Sequence, residues 1–511
     1  MVEEPERRLE ILPEFAWLPP GDLSDLEVGK GPVHSHRGLH YCARNHSDNE
    51  ISIKSKPMKN LPNNNAPIQP SQINGIISRV QSRRQFIRGT AGLAAGLGLF
   101  PSAFADGGNH PEDRRDKGLP KPNKSGIEHI VVVMMENRSF DHFLGWMPGA
   151  DGRQAGLSYI DAAGVSHATY PLAPDYQGCG HPDPDHSYQG ARIEYDNGAC
   201  DGWLRAGTND AYAIGYYTKN DLAFLGNAAP AWTTCNRYFA AILAGTYPNR
   251  IYQHAAQTDR LDDSLLPFST LPTIWDRLAD AGLSGRYYYS DFPFLALWGA
   301  THLPISRPVG DFFADCAAGT LPQVSFVDPS FLGELQGVSN DDHPHADIRN
   351  GEYFMNTIYQ AVTSSPNWAN TALVINFDEW GGFFEHVAPM GAPIPAADAA
   401  LGSDGLRGFR VPAVVISPWS PRKKIASNLY DHTSILKMIE WRWGLPSLTV
   451  RDATANNLAG VLDFQHRNLK APAFAVPAGP FGGPCPVTAA AINPDQPLLQ
   501  FAADLGFPIP K

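Results

Sequence analysis

The sequence predicts a three-layer α/β/α sandwich built on a mostly parallel sheet. Three unbroken apolar runs carry this expectation, at residues 130–135 (IVVVMM), 372–377 (ALVINF) and 411–416 (VPAVVI). Runs without polar alternation suit strands buried on both faces, as in a parallel sheet covered by helices. Weaker strand patterns lie at 286–289 and 323–327, and helical periodicity at 273–281, 351–363 and 434–443. Strands alternating with helices complete the α/β pattern. Residues 150–215 break the rhythm with Gly, Asp, Tyr and histidines, and read as a long functional insert.

Bulk properties narrow the function. The chain has 511 residues, of which 43% are hydrophobic and 18% charged, enough to bury a substantial core. A net charge of −12 without a basic tract gives no electrostatic footprint for nucleic acid. The same charge is repelled by an anionic membrane surface. A lipid substrate would therefore be zwitterionic or held by local contacts, with only transient membrane-surface contact.

The amino-terminal region reads as a signal for the twin-arginine export machinery. Ser82-Arg83-Arg84-Gln85-Phe86-Ile87 precedes a mildly apolar stretch at 89–100 and then Ala103-Phe104-Ala105. Paired arginines, an apolar segment and an A-x-A site resemble a twin-arginine signal at 81–105, cleaved after Ala105. The apolar run is shorter than the ~20 residues that span a bilayer. Residues 1–80 read as a disordered extension, and Met58 as the true start. Residues 106–125 read as a linker, 126–466 as the catalytic domain and 467–511 as a Pro/Ala-rich tail or surface wrap. An exported protein, periplasmic or extracellular, tolerates disulfides. Of the six cysteines, Cys179 and Cys200 can pair inside the insert, and the five that remain after cleavage leave at least one thiol free.

Chemistry concentrates at strand ends, where open α/β sheets gather their ligands. The first strong strand runs into Glu136-Asn137-Arg138-Ser139-Phe140-Asp141, and the second into Asp378-Glu379-Trp380-Gly381-Gly382. Two oxygen ligands at each of two strand ends can converge on one hard or borderline cation. Thr246 follows Gly245 at the start of a helix expected from about Pro248. A hydroxyl there faces backbone N–H groups and the positive helix end, which together suit a phosphate. Histidines recur in Pro/Asp-rich loops, as His181 and His186, and as His343 and His345. Imidazolium groups there would stabilise phosphoryl oxygens and protonate a leaving alkoxide. His432 stands at a helix start and reads as a cap.

These stretches, with Thr246 through Arg250, the run Asp378 through Val387, and Asp431-His432-Thr433-Ser434, resemble the phosphoesterase family. That family holds bacterial and fungal phospholipases C and an acid phosphatase, within the alkaline phosphatase-like superfamily. The resemblance spans about residues 126–465 and implies an alkaline phosphatase-like α/β/α fold. It implies a covalent phospho-enzyme on Thr246 and one metal ion held by Glu136, Asn137, Thr246, Asp378 and Glu379. The ion would be divalent or iron, with zinc or calcium preferred. Among the pocket histidines it points to His186 and His343, with His345 the alternative to His343. The expected substrate is a phospholipid or a small phosphate ester. The first expectation is phospholipase C activity, the second phosphomonoesterase activity at the same site, and the third a secreted metal-binding protein without turnover.

Overall fold

The computed structural model describes residue 116 and residues 118–486 and 496–510. The expected extension, twin-arginine signal, Met58 start and most of the linker lie outside the described residues, as do Cys42 and part of the tail.

An eight-stranded sheet forms the centre. In chain order its strands are β1 (His129–Met135), β2 (Thr233–Cys235), β3 (Gly285–Tyr289), β4 (Ser306–Pro308), β5 (Val324–Val327), β6 (Thr371–Phe377), β7 (Ala413–Ile416) and β8 (Lys424–Ala426). The spatial order is β8-β2-β7-β6-β1-β5-β3-β4. β1 pairs in parallel with both β5 and β6, and β5-β3-β4 continue in parallel. Only β7 runs against the rest of this sheet. Its apolar run therefore reported burial on both faces, not direction. Both central strands, β1 and β6, are almost wholly buried.

Helices cover both faces. The principal ones are α1 (Thr246–Ala255), α2 (Ile274–Asp280), α3 (Val309–Ala318), α4 (Ile348–Ser364) and α5 (His432–Trp443). Adjacent side chains on a strand point to opposite faces. Tyr287 of β3 meets His254 of α1 at 5.9 Å between ring centroids, while Tyr288 meets Phe312 of α3 at 5.3 Å. α1 and α3 thus lie on opposite sides. α2 and α5 pack with α1, and α4 packs with α3. The three-layer, mostly parallel architecture expected from the sequence is present.

The insert forms short strands and the helix Gly190–Tyr195, packed over a smaller core of Tyr159, Trp203, Trp380, Phe384 and Phe409. The tail does wrap the domain where it is described. The Tyr359 hydroxyl donates to the Pro472 carbonyl at 2.6 Å, and Phe474 packs on Phe224 and Tyr359. The expected Cys179–Cys200 disulfide is overturned: Cys179 pairs with Cys485, 306 residues away, and Cys200 is a buried free thiol. The insert closes on the tail, not on itself. Among the described residues no helix is long and apolar enough to cross a membrane.

Candidate active site

β1 and β6 are parallel neighbours in register, so their carboxyl ends open at the same edge. Glu136-Asn137 and Asp378-Glu379 therefore meet side by side. The Asn137 N–H donates to Asp378 Oδ1 at 3.0 Å. Asn137 adopts a left-handed backbone with φ of 56°, a conformation Asn tolerates better than most residues. Gly381 makes this approach feasible: a Cβ there would lie 2.0 Å from the Asn137 carbonyl oxygen. At Gly382 a Cβ would lie 2.6 Å from Pro184 Cβ, in the loop that carries His186.

Thr246 is the first residue of α1, with Gly245 as its N-cap. The helix starts two residues earlier than the sequence suggested. The Thr246 hydroxyl does not cap it; it points to Glu136 Oε2 at 3.1 Å and Asn137 Oδ1 at 3.4 Å. Asn249, Tyr247 and Asp263 organise the helix start instead. Asn249 Nδ2 donates to the Ala244 carbonyl at 2.7 Å, and the Tyr247 N–H donates to Asp263 Oδ1 at 2.8 Å.

Three buried carboxylates surround one guanidinium. Arg250 contacts Glu136 Oε1 at 2.6 Å, Asp328 Oδ1 at 3.2 Å and Asp378 Oδ2 at 3.7 Å. Glu379, beside Asp378, adds a fourth buried carboxyl group that Arg250 does not pair with. Asp378 Oδ2 and Glu379 Oε1 are buried without a hydrogen-bond partner. Burial raises Glu136 well above its ordinary value, with Asp378 adding to it and Arg250 opposing. Burial does the same to Glu379, with His186 opposing and Asp378 adding. Unpaired buried oxygens and too few cations are what a bound metal ion would remedy. The donor set of carboxylates, amide and hydroxyl fits a hard or borderline cation.

His186 and His343 join this edge. Asn137 Nδ2 lies 3.3 Å from His186 Nε2, and the two imidazole centroids are 5.8 Å apart. Ligand atoms of Asp183, His186 and His343 all lie within 4.8 Å of one another. Burial alone would depress His186, but Glu379 and Asp183 outweigh it and hold its pKa at about 9. His343 is likewise raised well above the ordinary value, burial being outweighed by Glu334 and Asp183. His345 is placed differently: its Nε2 meets the His181 carbonyl at 2.9 Å, and its backbone has φ of 78°.

Three residues escaped the sequence reading. Arg250 lies four positions after Thr246, hence on the same helix face, and that spacing was the available signal. Asp328 follows β5 as Glu136 follows β1. His432 is more than a helix start, since Asp431 is the cap. His432 Nε2–H donates to the Asp378 carbonyl at 2.7 Å, and burial keeps the ring neutral with a pKa near 4.

The sequence comparisons coincide with this edge. The phosphoesterase family is matched over residues 127–446, which contain every residue just described. Phospholipase C A of Mycobacterium tuberculosis is 31% identical over 465 residues, covering 75% of this chain and 85% of that protein. Non-specific phospholipase C1 of Arabidopsis thaliana is 30% identical, covering 66% and 72%. Non-hemolytic phospholipase C of Pseudomonas aeruginosa is 30% identical, covering 76% of this chain and 64% of its own. Strand-end carboxylates, helix-borne threonine and the long match lead to one conclusion: this chain belongs to the phosphoesterase family, and it is a hydrolase of phosphoric ester bonds.

Proposed function

We propose that the chain is an exported, metal-dependent phospholipase C that cleaves a phospholipid head group through a phosphothreonine. The observation that carries this reading is the Thr246 hydroxyl, held by Glu136 and Asn137 beside two unpartnered carboxylate oxygens. Glu136, Asn137, Thr246, Asp378 and Glu379 would hold the ion, with zinc or calcium the best matches to such donors. The ion would supply positive charge at the phosphoryl oxygens and lower the hydroxyl pKa.

The remaining steps belong to the chain. Thr246 Oγ1, its proton already lost to solvent, attacks phosphorus as the bond to the glycerol oxygen breaks, giving a phosphothreonine and an alkoxide. His186 and His343, both favoured as cations, face the developing charge, and one of them protonates the alkoxide to diacylglycerol. Water then attacks phosphorus, gives its proton to the now neutral histidine, and releases the phosphorylated head group from Thr246 Oγ1. His432 fixes the Asp378 main chain, and Arg250 orients Glu136.

Turnover of p-nitrophenyl phosphorylcholine against p-nitrophenyl phosphate tests the substrate class. Greater kcat/KM on the diester is expected; a clear monoester preference would give the acid-phosphatase alternative, and no turnover of either the non-catalytic one. Export is supported by the Cys179–Cys485 disulfide, since such bonds persist in oxidising compartments. Replacing Arg83 and Arg84 with Lys should retain the precursor in the cytoplasm, and undiminished export of that variant would refute the twin-arginine route.

A further inference from the structure

Asp263 lies in the loop between α1 and α2, at the start of the nucleophile's helix. Its Oδ1 accepts the Tyr247 N–H at 2.8 Å. The amides at this helix end are few. Pro248 has no N–H, and the Asn249 N–H returns to the Gly245 carbonyl at 3.4 Å. Thr246 and Tyr247 are thus the first-turn residues that can offer an N–H outward, and Asp263 takes one of them. A Cβ placed on Gly245 would lie 3.7 Å from Asp263 Oδ2 and 3.7 Å from His186 Cδ2. Carboxylate and imidazole therefore flank one point beside the nucleophile. Asp263 Oδ2 is thus turned toward the same point as the His186 ring, although burial against its neighbours raises its pKa somewhat.

We propose that Asp263 is a specificity-determining residue that selects phosphodiesters over phosphomonoesters. This rests on Thr246 being the nucleophile. A monoester near neutral pH carries about two negative charges and a diester one. A fixed carboxylate beside the phosphoryl site repels the former by one additional unit charge. It also withholds the Tyr247 amide, leaving the Thr246 N–H for an incoming oxygen. A diester has two non-bridging oxygens to place and a monoester three.

Asp263→Asn is the sharp test, because the amide oxygen can still accept the Tyr247 N–H while the charge is gone. For that variant, kcat/KM on p-nitrophenyl phosphate should rise about tenfold or more relative to p-nitrophenyl phosphorylcholine. Inhibition by inorganic phosphate should tighten by a similar factor. In the unaltered protein, added salt should raise the monoester-to-diester ratio, and in Asp263→Asn it should not. A ratio unchanged by both substitution and salt overturns the proposal. Thr246→Ala, assayed in parallel, separates the two levels: retained turnover there defeats the nucleophile and this proposal with it. Abolished turnover with an unchanged Asp263→Asn ratio defeats Asp263 alone.

Discussion

Two buried acidic clusters lie near the sheet edge, and they differ in how their charge is settled. At the candidate active site, Glu136, Asp378 and Asp328 share Arg250, Glu379 lies beside them, and two carboxylate oxygens lack hydrogen bonds. The second cluster joins Asp141, Glu385, His386 and Arg410. Its ligand atoms are also close enough for a metal. Yet every carboxylate oxygen of Asp141 and Glu385 is engaged. Arg153 N–H and Arg410 reach Asp141 Oδ1 at 2.8 and 3.3 Å, and the His386 N–H reaches Oδ2 at 2.9 Å. Glu385 Oε2 accepts the Asp141 N–H at 3.2 Å, and Oε1 takes Arg410 at 2.6 Å and the Val387 N–H at 2.8 Å. Burial still pushes Glu385 up to about 7, with Arg410 opposing the rise and Asp141 adding to it. The lesson is that proximity of acidic groups does not make a site; unmet valence does.

The largest expected effect lies at Thr246. Thr246→Ala should reduce kcat by about three or more powers of ten while substrate binding survives, because the proposed attacking atom is gone. Thr246→Ser should keep much of the rate. In the satisfied cluster nothing comparable should occur in kcat at permissive temperature. Arg410→Met there should cost about 3–5 kcal/mol of stability, since it strands two buried carboxylates. Elemental analysis should find its metal content unchanged. Loss of metal from that variant, with full retention in Asp378→Ala, would invert the comparison.

A third test uses the sign of the Glu379 shift. Its folded pKa is raised, so the folded chain binds the extra proton and stability falls as pH rises above its unfolded value near 4.5. In chelator at pH 8, Glu379→Gln should therefore be more stable than the unaltered protein by about 2 kcal/mol, the cost of one uncompensated buried carboxylate. Added metal should reverse that order. Denaturation curves with and without the ion decide it; the unaltered protein being more stable in both would mean the cluster is already balanced.

Much of this edge was legible in the sequence, and the boundary of legibility is physical. Glu136 and Asp378 were readable because each directly follows an unbroken apolar run. His186 was readable from its Pro/Asp-rich loop. The compensation around them was not. That Arg250 bridges Glu136 and Asp328 depends on β1 and β5 being neighbours, a pairing of segments almost 200 residues apart. The same holds for the insert–tail disulfide, where the sequence offered a nearer cysteine and the fold chose a distant one. β7 shows a different limit, since unbroken hydrophobicity carries no information on strand direction.

The smallest expected effect concerns the histidines of the two regions. His343 Nδ1 lies 3.2 Å from Glu334 Oε2, and His386 bonds Asp141 through Nδ1. Both folded pKa values are raised: burial opposes the rise in each, and Glu334 with Asp183 outweighs it in one case, Asp141 in the other. A raised histidine contributes its stability in full below the unfolded value near 6.5 and loses it as pH climbs through the folded value. His343→Gln and His386→Gln should each cost about 1 kcal/mol at pH 6 and progressively less above pH 7. The regions should part when inorganic phosphate is added. A phosphate anion beside the nucleophile favours the His343 cation, so the His343→Gln deficit should persist to higher pH. The His386→Gln deficit should not move, because its carboxylates already have partners. Melting temperatures over pH 6–9, with and without phosphate, separate the outcomes. Equal displacement of both curves would show that the second cluster also senses ligand, and the distinction between balanced scaffold and unbalanced site would fail.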